Sequence, residues 1–467
     1  MQVIVDNDII TVDSPTPKLL SIIQKELVYK DKSKQYQLKR MMRNPWFRTS
    51  DLYHKLKSEV DGKLFNHENN VLTFPSTFYE QFSSELSSIV DNRKETGKTL
   101  PLPWVDKPHD LRDYQEEAVQ LMLDNPRGII NFATGLGKTL AATHFIKRYR
   151  RHALIVCPSE SVAKQFYNDF VSAFGKQKVG FYGGGKKQIR DITIGIAASV
   201  TRSIEDFKAA DIGVVIFDEV HHAPATTFFE IAQGLGSIGK IFGLTATDYR
   251  SDGKDIMITG GCGRVLIRRD IKWGVENGWL AEPHFLVREI PTTGKDYKDD
   301  KLKSYKAHVL NCQIMLDRIE NDARSMMAAG KSILILVDEV EHGNRLSKAL
   351  GLPFATGNDK KSQDYVDELN AGKVLGLIGT DSKISEGTDT KNVDVLILAN
   401  FVASKGPVIQ CLGRALRKQG TKTKALILDY VPMGSTMLKR HALQRMSFFQ
   451  EITDKVKYIA CNVTPHL

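Results

Sequence analysis

Residues 128–139 (G-I-I-N-F-A-T-G-L-G-K-T) constrain the fold of this 467-residue chain more than any other stretch. A short apolar run at 128–131 is followed by the turn Thr134-Gly135-Leu136-Gly137 and by a helical pattern that begins at Lys138-Thr139. A strand, a loop and a helix in this order point unpaired N–H groups and the positive end of the helix dipole at an anion. A lysine here reaches terminal phosphates, and a threonine can bind Mg²⁺. Phe132 replaces the usual first glycine, so a plain strand-to-helix turn is the alternative interpretation.

Composition and charge limit the class of protein. With 42% hydrophobic and 26% charged residues the chain is typical of globular proteins, and its net charge of +10 favours a polyanionic partner. The five cysteines form no C-x-x-C pair, so neither a structural metal nor a disulfide framework is indicated. No apolar run could cross a bilayer, and no secretion signal begins the sequence. We expect a cytoplasmic protein (in the host cytoplasm if it is phage-encoded) with no membrane partner.

Strand and helix patterns alternate in two blocks, one from residue 111 to about 247 and the other from about 333 to 430. This alternation predicts an α/β fold with doubly wound parallel sheets. The predicted strands are 128–131, 153–157, 193–197, 213–217 and 240–244 in the first block, and 332–337, 375–379, 393–399 and 425–429 in the second.

Residues 1–100 predict a small α+β accessory domain, which we expect to bind nucleic acid. We expect a hairpin of 3–5 with 9–12, a helix over 15–28, strands near 64–65 and 71–74, and a helix over 76–89. The polar, proline-containing segment 91–107 predicts a linker. The remaining domain expectations are a first lobe at 101–260, a connecting segment at 261–330, a second lobe at 331–432 and a helical extension at 433–467.

A basic cluster occupies residues 30–48, where lysines and arginines are interleaved with Tyr36, Trp46 and Phe47, and Asp31 is the one acid. Such a mixture can bind phosphates and stack on bases. The alternative interpretation is a solvated helix face whose aromatic side chains belong to the core. The sequence leaves both interpretations open.

The sequence Asp218-Glu219-Val220-His221-His222 directly follows a predicted buried strand. Carboxylates at the carboxyl end of a parallel strand face the crevice in which ligands bind. Asp218 could hold Mg²⁺, and Glu219 could orient and deprotonate an attacking water. A helix cap is the alternative interpretation.

A third signal lies in residues 410–417 (Q-C-L-G-R-A-L-R). Arg414 and Arg417 are three positions apart, so a helix would place both on one face. Two guanidiniums can neutralise charge on a phosphoryl group in transfer. An exposed basic helix is the alternative interpretation.

With these segments in view, the chain resembles the superfamily 2 helicases and translocases, whose motifs occur in the expected order. The matching segments are Leu111-Arg112-Asp113-Tyr114-Gln115 (adenine element), 133–139 (motif I), Val156-Cys157-Pro158 with Gln165 (motif Ia), 218–221 (D-E-x-H box), Leu244-Thr245-Ala246-Thr247 (motif III), 379–389 (motif V) and 410–417 (motif VI). Within the superfamily, residues 243–253 (G-L-T-A-T-D-Y-R-S-D-G) are similar to XPB-like helicases, to type I and III restriction translocases and to UvsW-type branch-migration helicases of phages.

The resemblance implies two RecA-like lobes with ATP and Mg²⁺ bound in a cleft between them. It also implies residue roles. Arg112 and Gln115 would hold adenine; Thr134, Gly135, Leu136, Gly137, Lys138 and Thr139 the phosphates; Thr139 and Asp218 Mg²⁺; and Gly387 and Asp389 the ribose. Glu219 would be the general base, Gln410, Arg414 and Arg417 would act on the γ-phosphate, and His221, Thr245 and Thr247 would couple hydrolysis to movement. Pro158, Ser159, Ser199, Thr201, Thr380 and Ser382 would contact the nucleic-acid backbone.

The function that the resemblance implies is an ATP-dependent helicase that remodels forked or four-way DNA junctions, with recombination or replication proteins as possible partners. A restriction-type duplex translocase, an RNA helicase and an inactive nucleotide-dependent scaffold remain alternatives. The residues alone do not distinguish DNA from RNA.

Overall fold

A computed structural model of the chain describes residues 1–42, 60–100, 111–221, 225–246, 253–298, 300–357, 361–385, 390–401, 405–418 and 422–461, with the single residues 53, 55, 57, 359, 403 and 420. The chain forms two compact units. The first contains Met1–Phe132 and Gly137–Arg268, and the second contains Ala133–Leu136 and Arg269–Leu467. None of the described helices is long and apolar enough to cross a membrane.

The N-terminal part of the first unit is an α+β module. Its larger sheet has the order β5-β6-β2-β1-β7, and β3 and β4 form a separate two-stranded sheet. The strands are β1 (Gln2–Val5), β2 (Ile9–Asp13), β3 (Val28–Lys30), β4 (Asp61–Lys63), β5 (Asn66–Glu68), β6 (Val71–Pro75) and β7 (Ile89–Asp91). The helices are α1 (Pro17–Glu26), α2 (Lys32–Met41) and α3 (Tyr79–Phe82). The predicted hairpin is the antiparallel β1-β2 pair.

Two predictions for this module are wrong. Instead of one helix over 76–89, the chain makes a 3-10 turn at Ser76–Phe78, the short helix α3 and a second 3-10 turn at Ser83–Glu85, and then enters β7. Phe78 and Phe82, four positions apart, are both buried, as expected for one face of a helix. The helix does not continue to residue 89, because residues 89–91 pair in parallel with β1. The strand expected at 64–65 is also absent. Leu64 is a buried residue between β4 and β5.

Of the predicted linker 91–107, residues 101–107 lie outside the described residues, and the segment 92–100 is not a free linker. Lys98 N–H donates to Asp211 O (3.0 Å), and Leu100 N–H donates to Arg150 O (2.9 Å). Leu100 is fully buried. The polar composition therefore reflects an exposed strip whose backbone is fastened to the first unit.

The central sheet of the first unit has eight strands in the order β11-β10-β12-β9-β13-β14-β8-β15. They are β8 (Arg127–Phe132), β9 (Ala153–Cys157), β10 (Val179–Gly183), β11 (Lys186–Lys187), β12 (Ile192–Ile196), β13 (Val214–Phe217), β14 (Lys240–Thr245) and β15 (Val265–Arg269). The helices are α4 (Asp113–Asp124), α5 (Lys138–Tyr149), α6 (Glu160–Phe174), α7 (Ala197–Thr201), α8 (Ile204–Ala209), α9 (Ala225–Gly234) and α10 (Asp255–Cys262). All five strands predicted here are present, and their parallel neighbours confirm the α/β class.

Buried cations tie elements of the first unit together. Arg127 at the start of β8 donates to the carbonyls of Asn7 (2.6 Å), Gly236 (2.7 Å) and Gly261 (3.1 Å). Lys240 donates to the carbonyls of Leu123 and Asn125, both at 2.8 Å, so it satisfies acceptors at the end of α4. The N-terminal module and the central sheet also share one hydrophobic core cluster. The module is thus packed as part of the first unit.

The second unit contains a parallel sheet of seven strands in the order β18-β19-β17-β20-β21-β16-β22. They are β16 (Glu282–Ile290), β17 (Ile333–Val337), β18 (Phe354–Ala355), β19 (Gly376–Thr380), β20 (Val395–Ala399), β21 (Lys424–Pro432) and β22 (Val456–Ile459). The helices are α11 (Ile271–Glu276), α12 (Lys301–Tyr305), α13 (Gln313–Ala328), α14 (Val340–Leu350), α15 (Ser362–Asn370), α16 (Asp381–Ser385), α17 (Lys405–Ala415) and α18 (Thr436–Ile452). The four strands predicted for this block are β17, β19, β20 and β21.

Candidate nucleotide-binding and catalytic site

The glycine turn between β8 and α5 has the backbone shape of a phosphate loop. Gly135 (φ +93°) and Gly137 (φ +85°) are both in the left-handed region, which glycine occupies without strain. A Cβ atom on Gly137 would lie 2.3 Å from Nε2 of Gln115, so a larger residue there would displace the Gln115 amide. The sequence departs from the usual pattern at Phe132 because this residue ends β8, is fully buried and packs edge-to-face on Tyr114.

Lys138 is the first residue of α5, and its ammonium group lies at the mouth of the loop. Its Nζ donates to Phe132 O (3.2 Å) and is 3.3 Å from Oε1 of Glu219. The side chains of Lys138 and Glu219 are 11% and 18% exposed, so both remain accessible to a ligand. The structure thus brings together two residues that are far apart in sequence.

The acidic pair follows β13 at the carboxyl end of the parallel sheet. Asp218 is 4% exposed, and its N–H donates to Val156 O (2.9 Å). Burial raises the pKa of Asp218, the neighbouring Glu219 carboxylate raises it further, and Lys138 lowers it. Glu219 has a φ of +47°, which is strained for a residue with a side chain. In this backbone conformation the Glu219 side chain lies next to Lys138, while Asp218 is buried.

The predicted adenine element lies at the start of α4. Arg112 N–H donates to Oε1 of Gln115 (3.1 Å), and Arg112 Nη1 donates to the Tyr114 hydroxyl (2.9 Å). Gln115 is 2% exposed and lies beside Gly137. Gln115 therefore supports the turn as well as being the candidate adenine contact.

In the second unit, one expectation about the arginine pair is wrong. Helix α17 ends at Ala415, and Arg417 instead forms an antiparallel bridge with Leu280. The two arginines therefore do not share a helix face, because the chain turns to pair with residue 280. Arg414 is 7% exposed and Gln410 is partly buried, both on α17.

Arg417 nevertheless lies near the tip of the glycine turn, which belongs to the same unit. A Cβ atom on Gly135 would be 3.0 Å from Cγ of Arg417. Likewise, a Cβ atom on Gly413 would be 2.4 Å from Cβ of Thr134. Small residues at both positions permit this close approach. The partly buried side chain of Arg417 thus lies beside Gly135.

The candidate nucleic-acid contacts of the first unit follow neighbouring parallel strands. Ser159, after Pro158, caps α6 through Val162 N–H (3.5 Å). Ser199 is partly buried on α7, and the Thr201 hydroxyl donates to Ala197 O (2.9 Å). Because β9 and β12 are parallel neighbours, the residues that follow them lie at the same, carboxyl-terminal end of the strands.

In the second unit, Thr380 ends β19 and is 6% exposed. The side chain of Ser382, together with Thr247, Gly387 and Asp389, lies outside the described residues. Of the coupling candidates, Thr245 ends β14 fully buried, and His221 is partly buried after the acidic pair.

The donor set fits a Mg²⁺-nucleotide. Thr139 and Asp218 offer oxygen atoms, which Mg²⁺ prefers, and the glycine turn leaves a cradle that a Cβ atom would fill. Within the part of the chain that the structure describes, no group of three or more His, Cys, Asp or Glu residues could hold a metal ion by itself. The arrangement can bind a triphosphate and present Glu219 to a water molecule.

Comparison with known proteins agrees with this geometry. Residues 108–250 match the family model described as "Type III restriction enzyme, res subunit". A "Putative DNA 3'-5' helicase Rad25" of Halobacterium salinarum is 27% identical over 76% of this chain and 59% of its own length. A "DNA 3'-5' translocase XPB2" of Sulfurisphaera tokodaii is 24% identical over 72% of this chain and 85% of its own length. The "ATP-dependent DNA helicase uvsW" of Enterobacteria phage T4 is 24% identical over 68% of each chain. The chain is thus similar to DNA helicases and translocases of superfamily 2 over about two thirds or more of its length.

The fold of this chain also occurs in solved structures. A fragment of a putative HsdR subunit of a type I restriction enzyme from Vibrio vulnificus matches with a TM-score of 0.56 at 20% identity, over 77% of this chain and 69% of that chain. This likeness concerns the fold alone. The expected architecture of two parallel-sheet lobes is confirmed, and so is the expected resemblance to XPB-like, UvsW-type and type III restriction-type proteins.

Proposed function

We propose that the chain is an ATP-dependent DNA helicase that unwinds or branch-migrates forked and four-way junctions in replication, recombination or repair. The main support is the Lys138–Glu219 pair at the mouth of a glycine turn, in a chain whose relatives are named DNA helicases and translocases. The net charge of +10 suits a polyanionic substrate.

Each residue of the site has a part in this proposal. The N–H groups at the start of α5 and Lys138 bind the phosphates, and Gln115 with Arg112 binds adenine. Thr139 and Asp218 hold Mg²⁺, which supplies charge neutralisation on the phosphates when it is bound. Glu219 orients the attacking water and takes its proton. Arg414 and Arg417, with Gln410, neutralise charge on the transferred phosphoryl group.

Movement along DNA requires that nucleotide turnover change the grip on the strand. Ser159 and Ser199, which follow the carboxyl ends of β9 and β12, are proposed to contact the phosphate backbone of DNA. Such contacts fix the position of the protein on the strand without reading the base sequence. Thr245, at the end of the strand next to the acidic pair, is proposed to link turnover to that grip, together with Thr247 and His221. Recombination or replication proteins are the proposed partners at junctions.

A duplex translocase of a restriction-type complex is the second candidate, favoured by the match to the restriction-enzyme family model. The two candidates share the ATPase and differ in strand separation. A fork-remodelling helicase displaces a strand from a forked substrate, whereas a translocase displaces a third strand from blunt duplex without unwinding it.

The deciding experiment measures ATP turnover with single-stranded DNA, duplex, fork, four-way junction and RNA at one ionic strength, because binding to phosphates depends on salt. We expect the strongest stimulation by forked and four-way DNA, accompanied by strand displacement. Stimulation by RNA alone would overturn the DNA proposal, and triplex displacement without unwinding would favour the translocase. Absence of turnover with every substrate would leave only a nucleotide-dependent scaffold.

A further inference from the structure

Helix α2 of the N-terminal module carries a stripe of three exposed side chains. Lys32, Tyr36 and Lys39 occupy positions i, i+4 and i+7, which lie on one face of a helix. All three are exposed, and Tyr36 is 70% exposed. Since Leu38 on another face is partly buried, the helix packs with its other side and leaves this stripe in solvent.

The basic segment 30–48 was open to two interpretations, a nucleic-acid contact or a solvated helix face with core aromatic side chains. Of its aromatic residues the structure describes Tyr36, and the exposure of Tyr36 decides between the two for this residue. If the cluster were only a solvated helix face, its aromatic ring would belong to the core. Tyr36 is instead exposed, about one helical turn from each of the two lysines, and it is not among the residues of the core cluster that the N-terminal module shares with the central sheet. A ring so placed can stack on a base, and its neighbours can bind phosphates.

The helix that carries the stripe is firmly anchored. Asp31, 3% exposed, caps α2 by accepting from Lys34 N–H (3.0 Å), and its other oxygen pairs with Lys254 Nζ at 2.7 Å. Although burial raises the pKa of Asp31, the hydrogen bonds from Lys254 and Lys34 lower it overall, so the pair stays ionised. Functional contacts on rigid elements are more precise than those on loops.

The anchor also connects α2 to the catalytic sheet. Lys254 directly precedes α10 and follows the segment that leaves β14 at Thr245. Close packing supports the connection, because a Cβ atom on Gly253 would lie 3.0 Å from Lys30 O. The helix that carries the stripe is therefore attached to Gly253 and Lys254, which follow β14, the strand next to the one that ends at the acidic pair.

We propose that Lys32, Tyr36 and Lys39 form a second nucleic-acid contact, in which both ammonium groups bind phosphates of one DNA strand and Tyr36 stacks on an unpaired base. Seven residues of helix span about 10 Å, or about three nucleotide steps of 3.4 Å. The contact needs an unpaired base, so it favours forks and single strands over blunt duplex. This inference rests on the proposed function.

The test compares Lys32→Gln/Lys39→Gln with Lys18→Gln/Lys25→Gln, which makes the same charge change on exposed residues of α1 in the same module. Binding of the full chain to forked DNA is measured from low to moderate salt. The α2 variant is expected to lower the slope of log affinity against log salt by about 1.5 to 2, and the α1 variant to leave it near wild type. Turnover without DNA stays at the wild-type level in both.

Stacking is tested with Tyr36→Ala and Tyr36→Phe. The alanine variant is expected to bind forked DNA at least about fivefold more weakly and blunt duplex as wild type, whereas phenylalanine keeps the affinity. Equal salt slopes for wild type and the α2 variant, or equal losses of affinity in Tyr36→Ala and Tyr36→Phe, would overturn the proposed contact. The proposed function would be unaffected as long as DNA stimulates turnover of the wild-type chain. If no nucleic acid stimulates the wild-type chain, the proposed function itself fails.

Discussion

The ammonium nitrogen of Lys138 lies 3.3 Å from Oε1 of Glu219, which joins the phosphate loop to the acidic pair. This contact compensates the opposite charges of the two side chains, each of which is at most 18% exposed. A triphosphate would compete with Glu219 for the lysine. Binding would then release the carboxylate toward water, so the pair is poised to respond to its ligand.

The first prediction concerns Glu219→Gln. Glutamine keeps the size of the side chain but cannot take a proton, so we expect kcat for ATP to fall about 10²- to 10⁴-fold. Nucleotide affinity should not fall, since Lys138 remains and no longer pairs with a carboxylate. Single-turnover hydrolysis and nucleotide binding measure the two effects separately. A fall in affinity with unchanged kcat would assign Glu219 to binding instead of proton transfer.

Lys138→Ala is predicted to act differently. Loss of the ammonium group removes a phosphate contact, so DNA-stimulated turnover should disappear while DNA binding is retained. Lys176→Ala, which removes an exposed lysine after α6, serves as the control and should behave as wild type. Undiminished turnover in Lys138→Ala would remove the phosphate-loop assignment.

Arg417→Ala tests the bridge position beside the glycine turn. If its guanidinium stabilises charge that develops in phosphoryl transfer, kcat and kcat/KM should fall together, by about 10³-fold or more. Arg440→Ala on α18 removes an exposed arginine of the same unit and should have no such effect. A rise in KM alone would show that Arg417 contributes only to ground-state binding.

The sheets were predictable because their buried strands are continuous apolar runs, as at 153–157 and 333–337. The missed strands have other patterns. β15 is a run of only three apolar residues followed by Arg268 and Arg269, and its edge position beside β8 comes from tertiary pairing. In β16, Pro283 argues against a strand, yet it lies at the second residue, where the loss of a donor is tolerated.

For the site, motif spacing predicted which residues matter but not how they meet. The positive φ of Glu219 and its approach to Lys138 depend on the neighbouring order of β13, β14 and β8, which the sequence does not show. The helix containing Arg414 was extended too far, because the pairing of Arg417 with Leu280 joins segments distant in sequence. Local pattern could not anticipate either contact.

A buried ion pair is predicted to control the stability of the second unit. Arg445 of α18 donates to both carboxylate oxygens of Asp429 at 2.8 and 2.7 Å, and their side chains are 1% and 0% exposed. Asp429→Asn leaves a buried charge uncompensated and should lower the free energy of unfolding by about 3–5 kcal/mol. Asp454→Asn, in an exposed pair with Lys455, should change it by less than about 0.5 kcal/mol. Denaturant unfolding measures both; equal effects would refute the burial argument.

The last prediction concerns His342, which makes the second unit sensitive to acid. The Tyr305 hydroxyl lies 2.6 Å from Nδ1 of His342 and donates to Ala399 O (3.1 Å), so Nδ1 carries the imidazole proton. Nε2 is buried and has no hydrogen-bond partner among the described residues. Burial lowers the pKa of His342 from 6.5 to about 3, and the charge of Arg345 contributes.

Because the unfolded chain binds this proton more readily, the contribution of His342 to stability is complete above pH 6.5 and is lost as the pH falls toward 3. The free energy of unfolding should decrease by about 1.4 kcal/mol per pH unit over that window through this residue. His342→Gln cannot be protonated, so the stability difference between wild type and variant should shrink as the pH falls. Urea unfolding from pH 8 to pH 4, with hydrogen exchange in β17 and α14 to locate the effect, measures it. A difference independent of pH would show that His342 is not kept neutral by burial.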